Sequence, residues 1–165
     1  MRQAETPADF EAASVLCWAY RDFLLAQDEI TRDLASVYYP VPVYQALMQA
    51  LPQKYGAAGA KLMLAFDGPD AFGCGMYHGL TAQDVEIKRV YISPKARGKG
   101  AGEALSMALV EAAKSDGYKR ILLDTNPRFT AARSLYEKLG FVSRGPYADM
   151  PDGVADKLVY YELTL

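Results

Sequence analysis

Histidine and tryptophan each occur once in this chain of 165 residues, and cysteine twice. His78, Cys17 and Cys74 show no metal-ligand spacing, so no metal is expected, and two cysteines make no disulfide framework. Both cysteines are expected to be buried as small apolar residues. The formal net charge is only −2, which argues against nucleic acid as the main partner. No apolar run approaches the ~20 residues needed to span a bilayer, so no membrane partner is expected either. The first ten residues, MRQAETPADF, lack the apolar centre of a signal peptide, and a cytoplasmic location is expected. Internal repeats and low-complexity tracts are also lacking.

What is present is ordinary for a globular chain: 51% hydrophobic and 23% charged residues, in a length that suits one domain over 1–165. The most informative stretch is 85–117. It opens with VEIKRVYISP, rich in Val, Ile and Tyr, and reads as a strand stopped by Ser93-Pro94. It closes with a helix in which Ala101, Ala104, Leu105, Ala108, Leu109 and Ala112 recur on one face, with Gly117 at the left-handed stop. Between them lies Arg97-Gly98-Lys99-Gly100-Ala101-Gly102. A strand, a glycine-rich loop and a helix start form an anion site. The first helical N–H groups lack chain partners, the macrodipole is positive there, and glycine lets oxygens approach the backbone. A Walker loop would need Gly-Lys-Ser/Thr, but Glu103-Ala104 follow Gly102; a dinucleotide fingerprint would need a third glycine where Glu103 stands.

Around this stretch the elements read in order. A short strand is predicted at 2–5 and a helix from Thr6-Pro7-Ala8-Asp9 to about residue 26, broken or thinned at Gln27-Asp28-Glu29. Pro40 and Pro42 bar a continuous helix; another follows with Val43, Tyr44, Leu47, Met48 and Leu51 in register, stopping before Pro52. Strands at 61–66, 71–80 and 85–92, joined by turns, form an antiparallel meander. Val85 and Ile87 share one phase of the last strand and Val90 and Ile92 the other, so a β-bulge at Lys88-Arg89 is predicted to keep one buried face. After the helix, RILLDT (120–125) is a buried strand reached by a βαβ crossover, hence parallel. A helix capped by Thr130 runs to about 139. A strand at 141–144, a loop with Pro146, Tyr147, Asp149, Pro151 and Asp152, and an antiparallel strand at 157–165 complete the chain.

The Arg-Gly-x-Gly-x-Gly run resembles the pyrophosphate loop of the GNAT superfamily of acetyl-coenzyme A-dependent N-acetyltransferases. Downstream, Leu135-Tyr136-Glu137-Lys138-Leu139-Gly140-Phe141 is similar to a second segment of that superfamily. The two motifs stand in the family's order with one strand between them. The resemblance implies an α/β (mixed α+β) fold. Its central mixed sheet is mostly antiparallel, with helices on both faces, and strands four and five form a splayed parallel pair. It also implies acetyl-coenzyme A as co-substrate. Val90, Tyr91 and Ile92 would then meet the pantetheine arm, and Arg97, Gly98, Lys99, Gly100, Ala101 and Gly102 the diphosphate. Tyr136 would be the general acid that protonates the departing thiolate. Many members carry an Asn seven residues before this Tyr; here that position is Phe129, with Asn126 nearby and Arg133 a further candidate for a phosphate.

The chemistry implied is direct attack of a neutral amine on the thioester. Glu86 is the candidate base, against the plainer reading that it pairs with Lys88 or Arg89 on an exposed face. His78 reads as a structural strand histidine. The acceptor, a small-molecule or peptide amine, would enter past Tyr38, Tyr39, Tyr44, Tyr147, Asp149 and Asp152, where aromatic walls and carboxylates suit a cation. A non-catalytic acyl-coenzyme A sensor is the alternative, and the sequence leaves homodimerisation open.

Overall fold

Thr6, Pro7 and Asp9 start the first long helix as the sequence predicts. In a computed structural model that describes residues 1–149 and 153–165, α1 spans Pro7–Leu25. The Thr6 side chain accepts from the Asp9 N–H, and the Asp9 carboxylate accepts in return from the Thr6 N–H, a reciprocal capping box. The polar Gln27-Asp28-Glu29 segment does break the helix. Asp28 caps α2 (Glu29–Tyr38), accepting from the Thr31 N–H. After Pro40, α3 spans Val41–Gln49. Its expected run up to Pro52 is corrected: α3 ends at Gln49, and Pro52 sits in the first turn of a further short helix, α4 (Leu51–Tyr55). Proline is tolerated there because a first-turn N–H has no helical partner to lose.

Among the described residues, seven strands form one sheet in the order β1-β2-β3-β4-β5-β7-β6. They are β1 (Arg2–Gln3), β2 (Ala60–Asp67), β3 (Asp70–Gly79), β4 (Asp84–Ile92), β5 (Arg120–Thr125), β6 (Val142–Arg144) and β7 (Val159–Thr164). All neighbours are antiparallel except β4 and β5, which run parallel. Helix α5 (Ala101–Ser115) forms the crossover between that parallel pair, and α6 (Thr130–Lys138) follows β5. Two readings change here. The buried stripe of α5 is Leu105, Ser106, Leu109 and Ala113, while Ala104 is exposed; the larger leucines rather than the alanines set the face toward the sheet. Thr130 is the first residue of α6 rather than its cap, because a turn closed by the Phe129 N–H on the Asn126 carbonyl feeds the helix directly.

Alternation along the strands divides the core. Leu62, Leu64, Cys74 and Met76 pack with Phe10, Ala13, Cys17, Tyr44 and Met48 under α1 and α3. Tyr77, Val85, Ile87, Ile121 and Leu123 pack with Leu109 and Ala113 of α5 and with Tyr136 of α6. Both cysteines are buried and unbridged. No helix among the described residues is long and apolar enough to cross a membrane.

The predicted bulge is present. Met76 pairs with Lys88 and Cys74 with Tyr91, so two steps on β3 face three on β4. Arg89 takes the extra place with φ of 54°, the only positive φ outside glycine among the described residues. The insertion puts Val90 with Val85 and Ile87 on the α5 side and Tyr91 on the α1 side. On its other edge β4 pairs with β5 only at Asp84–Arg120, Val85–Ile121 and Glu86–Leu122. Beyond those three pairs the strands part.

Candidate active site

A cleft of about 430 Å³ opens where β4 and β5 part. One wall is Ile87 to Ile92; the other is Leu123, Asp124 and Thr125 at the end of β5 with Phe129, Ala132, Leu135 and Tyr136 behind them. Tyr20 and Phe23 of α1, with Tyr39, close the α1 side. Val90, Tyr91, Ile92, Arg97, Gly102, Tyr39 and Tyr136, each singled out from sequence, therefore meet in one place.

Gly102 lies in the first turn of α5, whose start has no side-chain cap, unlike those of α1 and α2. Gly98 and Gly100 both have φ of 76°, where a Cβ would be strained, and the loop Gly98-Lys99-Gly100 is exposed beside the cleft mouth. Ala101 is the first helical residue. The N–H groups of this turn thus stand without side-chain partners, on a helix whose axis ends at the cleft. Arg97 bonds the Ile92 carbonyl through Nε at 2.9 Å and lays its guanidinium 4.6 Å from the Phe23 ring centroid. The positive charge is fixed at the mouth rather than left loose in solvent. An acyl-coenzyme A diphosphate fits this combination of uncapped N–H groups, unhindered glycines and an anchored cation.

Tyr136 is 8% exposed and packs against Phe141 and Tyr161. Burial, helped by the Asp124 charge, raises its pKa above the ordinary phenol value, so the hydroxyl keeps its proton at neutral pH.

Glu86 lies just before the strands part and does not line the cleft. It is buried rather than exposed, at 4%, and is fully engaged: Tyr147 Oη donates to it at 2.7 Å, Lys88 Nζ lies at 2.9 Å and His78 Nε2 at 3.4 Å. Pairing with Lys88 was anticipated; burial was not. Tyr147 Oη is also 3.3 Å from Asp124 Oδ2, and Lys88 lies 3.5 Å from the same oxygen. One phenol and one ammonium thus link a buried carboxylate to one that lines the cleft. Burial pushes the Lys88 ammonium down, but Asp124 and Glu86 outweigh it and leave its pKa raised. Burial, then Asp124 and Glu86, raise Tyr147. For His78, burial and the Lys54 charge lower the pKa against the opposing pull of Glu86.

The remaining candidates fall outside the cleft lining. Asn126 is buried, donating to Thr31 Oγ1 at 2.9 Å and accepting from the Arg128 N–H, so it ties α2 to the turn after β5. Arg133 donates to the Tyr161 hydroxyl and the Pro127 carbonyl. Tyr38 lines a smaller neighbouring cavity with Tyr39, Lys88 and Asp124. Tyr44 is buried and bonds the Cys17 carbonyl. Asp149 is exposed. Asp152 lies outside the described residues. Sequence reading missed Asp124, although a lone acid in RILLDT was a usable signal, and it missed Lys88 and Arg89 as cleft residues.

The family model described as the acetyltransferase (GNAT) family matches residues 28–141. The chain belongs to that family. An uncharacterised N-acetyltransferase of Bacillus subtilis is 34% identical over 87 residues, 52% of this chain and 58% of the relative. The chain spans only about three fifths of the length of such curated relatives. Among solved structures, an acetyltransferase from Streptococcus agalactiae superposes with a TM-score of 0.71 at 16% identity, covering 99% of this chain and 96% of that one. The PaiA N-acetyltransferase of Thermoplasma acidophilum, solved in complex with coenzyme A, gives 0.70 at 16% identity with full coverage of both chains. At these identities the structures establish the GNAT fold.

Proposed function

We propose that this GNAT chain moves the acetyl group of acetyl-coenzyme A to a primary amine, with Tyr136 as general acid. The observation that carries this is the cleft itself: uncapped α5 N–H groups at one end, a protonated buried phenol along its wall, and a carboxylate at the other end. The neighbour solved with coenzyme A on the same fold supports the choice of donor.

The diphosphate sits on the α5 first turn, and the pantetheine arm runs along Val90 to Ile92. The amine nitrogen attacks the thioester carbonyl carbon, and the developing oxyanion takes a hydrogen bond from a bulge amide such as that of Val90. As the C–S bond breaks, Tyr136 gives its proton to sulfur. An ordinary thiol has a pKa near ~8.5, below that of this phenol, so the transfer runs uphill; it is completed when the proton that the acylated nitrogen sheds on becoming an amide returns to the Tyr136 oxygen.

An amine with a pKa near ~10 arrives as ammonium and must lose a proton. Asp124 receives it in the cleft. The Tyr147 oxygen takes that proton while its own moves to Glu86, which makes Glu86 the terminal base although it does not line the cleft. Tyr39, which lines the cleft, and Tyr38, which lines the neighbouring cavity, are the candidates to meet the acceptor.

The test is a thiol-release assay with acetyl-coenzyme A against a broad amine panel, run beside calorimetric titration of the donor. Binding with turnover is the expected result. Binding without turnover on any amine would instead make the chain an acyl-coenzyme A sensor, and no binding would overturn the reading.

A further inference from the structure

Arg89 is a cation of the cleft that the mechanism above leaves unused. Its surroundings are unusual. The guanidinium carbon lies 5.2 Å from the Tyr39 ring centroid and 5.8 Å from that of Tyr44. Nη1 reaches only the Met76 sulfur at 3.9 Å, and Nε is buried without a hydrogen-bond partner. Arg2, Arg120, Arg128 and Arg144 each pair with a carboxylate. No carboxylate comes within 4.0 Å of Arg89 among the described residues. Arg21, Arg97 and Arg133 also lack a carboxylate among them, but each donates to a backbone carbonyl or a hydroxyl oxygen.

Among the described residues, no nearby carboxylate supplies the missing charge. Burial works against the cation, and among the strongest influences on it are Tyr39, Tyr55 and Tyr44, phenols whose own burial raises their pKa and keeps them neutral at pH 7. Lys54 feels the Arg89 and Lys88 charges as repulsion. Glu86 and Asp124, the nearby acids, are bound to Lys88. Aromatic faces offset part of the desolvation of a guanidinium, but they provide no acceptor for its N–H donors. A fork of donors set beside a cleft that Arg89 and Tyr39 line, with no carboxylate within 4.0 Å among the described residues, has the chemistry of a carboxylate receptor. Its backbone points the same way: a bulky side chain held at φ of 54° persists only where the surroundings impose it.

We propose that Arg89 binds a carboxylate of the acceptor, so that the acceptor class is a small amine bearing a carboxylate, an amino acid or close analogue. The inference rests on the acetyl-transfer reading and narrows it. The carboxylate docks on Arg89 from the cleft side, beside Tyr39, and the ammonium points to Asp124. Lys88, next to Arg89 in the chain, keeps Asp124 and Glu86 from capturing Arg89 themselves. Opposite charges at the two ends of one small molecule then complete both halves of the site.

The test compares matched pairs on the unaltered protein: phenylalanine with phenethylamine, leucine with isoamylamine, lysine with cadaverine. Thiol release should give the carboxylate member of at least one pair a kcat/KM about 100-fold higher, because a buried donor left unpaired penalises the analogue. Arg89→Gln should raise the KM for that acceptor roughly 10- to 100-fold while leaving acetyl-coenzyme A affinity unchanged, and Arg89→Lys should recover part of the loss. Retained donor affinity shows that the variant folds. Amines turned over as well as their carboxylated partners would overturn the proposal, as would an Arg89→Gln loss shared equally by both. Calorimetric titration of the same pairs into the coenzyme A complex separates this from the parent reading. Carboxylate binding lost in Arg89→Gln supports the assignment even without turnover. Absence of any carboxylate binding to the unaltered protein overturns it, whatever the acetyl transfer does.

Discussion

Replacing Gly102 by alanine should push stability and donor affinity in opposite directions. A Cβ at 102 would stand 3.7 Å from Leu135 Cδ2 and 3.9 Å from Ile92 Cγ1, ordinary van der Waals contact that requires no shift. Gly102 is helical, and alanine is favoured over glycine in a helix by up to about 1 kcal/mol, less in a first turn. The free protein should therefore gain up to about 1 kcal/mol, raising Tm by roughly 2–4 °C for a chain of this size. Yet Leu135 and Ile92 both line the cleft, so the new methyl projects into the space where the diphosphate is proposed to meet the α5 N–H groups. Losing one hydrogen bond to a charged oxygen costs about 1.5–3 kcal/mol, or roughly 10- to 150-fold in Kd. Thermal melts without ligand and calorimetric titration with coenzyme A measure the two effects separately. A higher Tm with unchanged affinity would place the diphosphate elsewhere. A fall in both would show that this glycine serves the fold rather than a ligand.

Tyr136→Phe should lower kcat by about 10²- to 10⁴-fold, with calorimetric affinity for acetyl-coenzyme A nearly unchanged; full activity would mean the thiolate takes its proton from another group. Glu86→Gln should cut the rate at neutral pH and recover partly as alkaline pH supplies free amine; a pH–rate profile parallel to that of the unaltered protein would remove Glu86 as base. Hydrogen bonds from Arg2, aided by the Thr6 and Glu5 N–H groups and opposed by burial, hold the Asp9 carboxyl well below the usual range. Its folded pKa is thus lower than the unfolded value near ~3.9, so its contribution is complete above that pH and fades as pH falls through the folded value. Denaturant midpoints measured from pH 5 to 2 should fall less steeply in Asp9→Asn than in the unaltered protein, and equal slopes would contradict the assignment.

The legible parts of this fold are those in which a local rule acts alone. The helix start at Thr6-Pro7-Ala8-Asp9, the left-handed stop at Gly117, and the phase break between Ile87 and Val90 each depend on residues within a turn of one another. Pro52 misled because proline stops a helix it enters late but opens one it enters early, and spacing alone does not say where a helix begins. The insertion of β7 between β5 and β6 is a tertiary decision with no short-range signal. The same division holds for the site. The glycine loop and Tyr136 are contiguous motifs, and they converge. Asp124, Lys88 and Tyr147 lie far apart in the chain and come together only after the sheet has formed, so the contact of Glu86 with the cleft through Tyr147 was not readable in advance. Asn126 looked like a ligand by position, but its amide is claimed by Thr31, 95 residues away.

One inserted residue ties these features together. Without the bulge, Val90 and Ile92 would face α1 and Tyr91 would face α5, reversing the cleft wall. With it, Arg89 and Val90 have no partners in the β3 ladder, and β5 has already released β4 three residues earlier, after Glu86. From Ile87 onward β4 therefore has no β5 partner and lines the cleft, as a pantetheine arm would require. The same insertion forces Arg89 into a left-handed conformation and aims its guanidinium among Tyr39, Tyr44 and Met76 instead of at solvent. The proposed donor amide and the proposed acceptor cation thus lie at a single irregularity in β4.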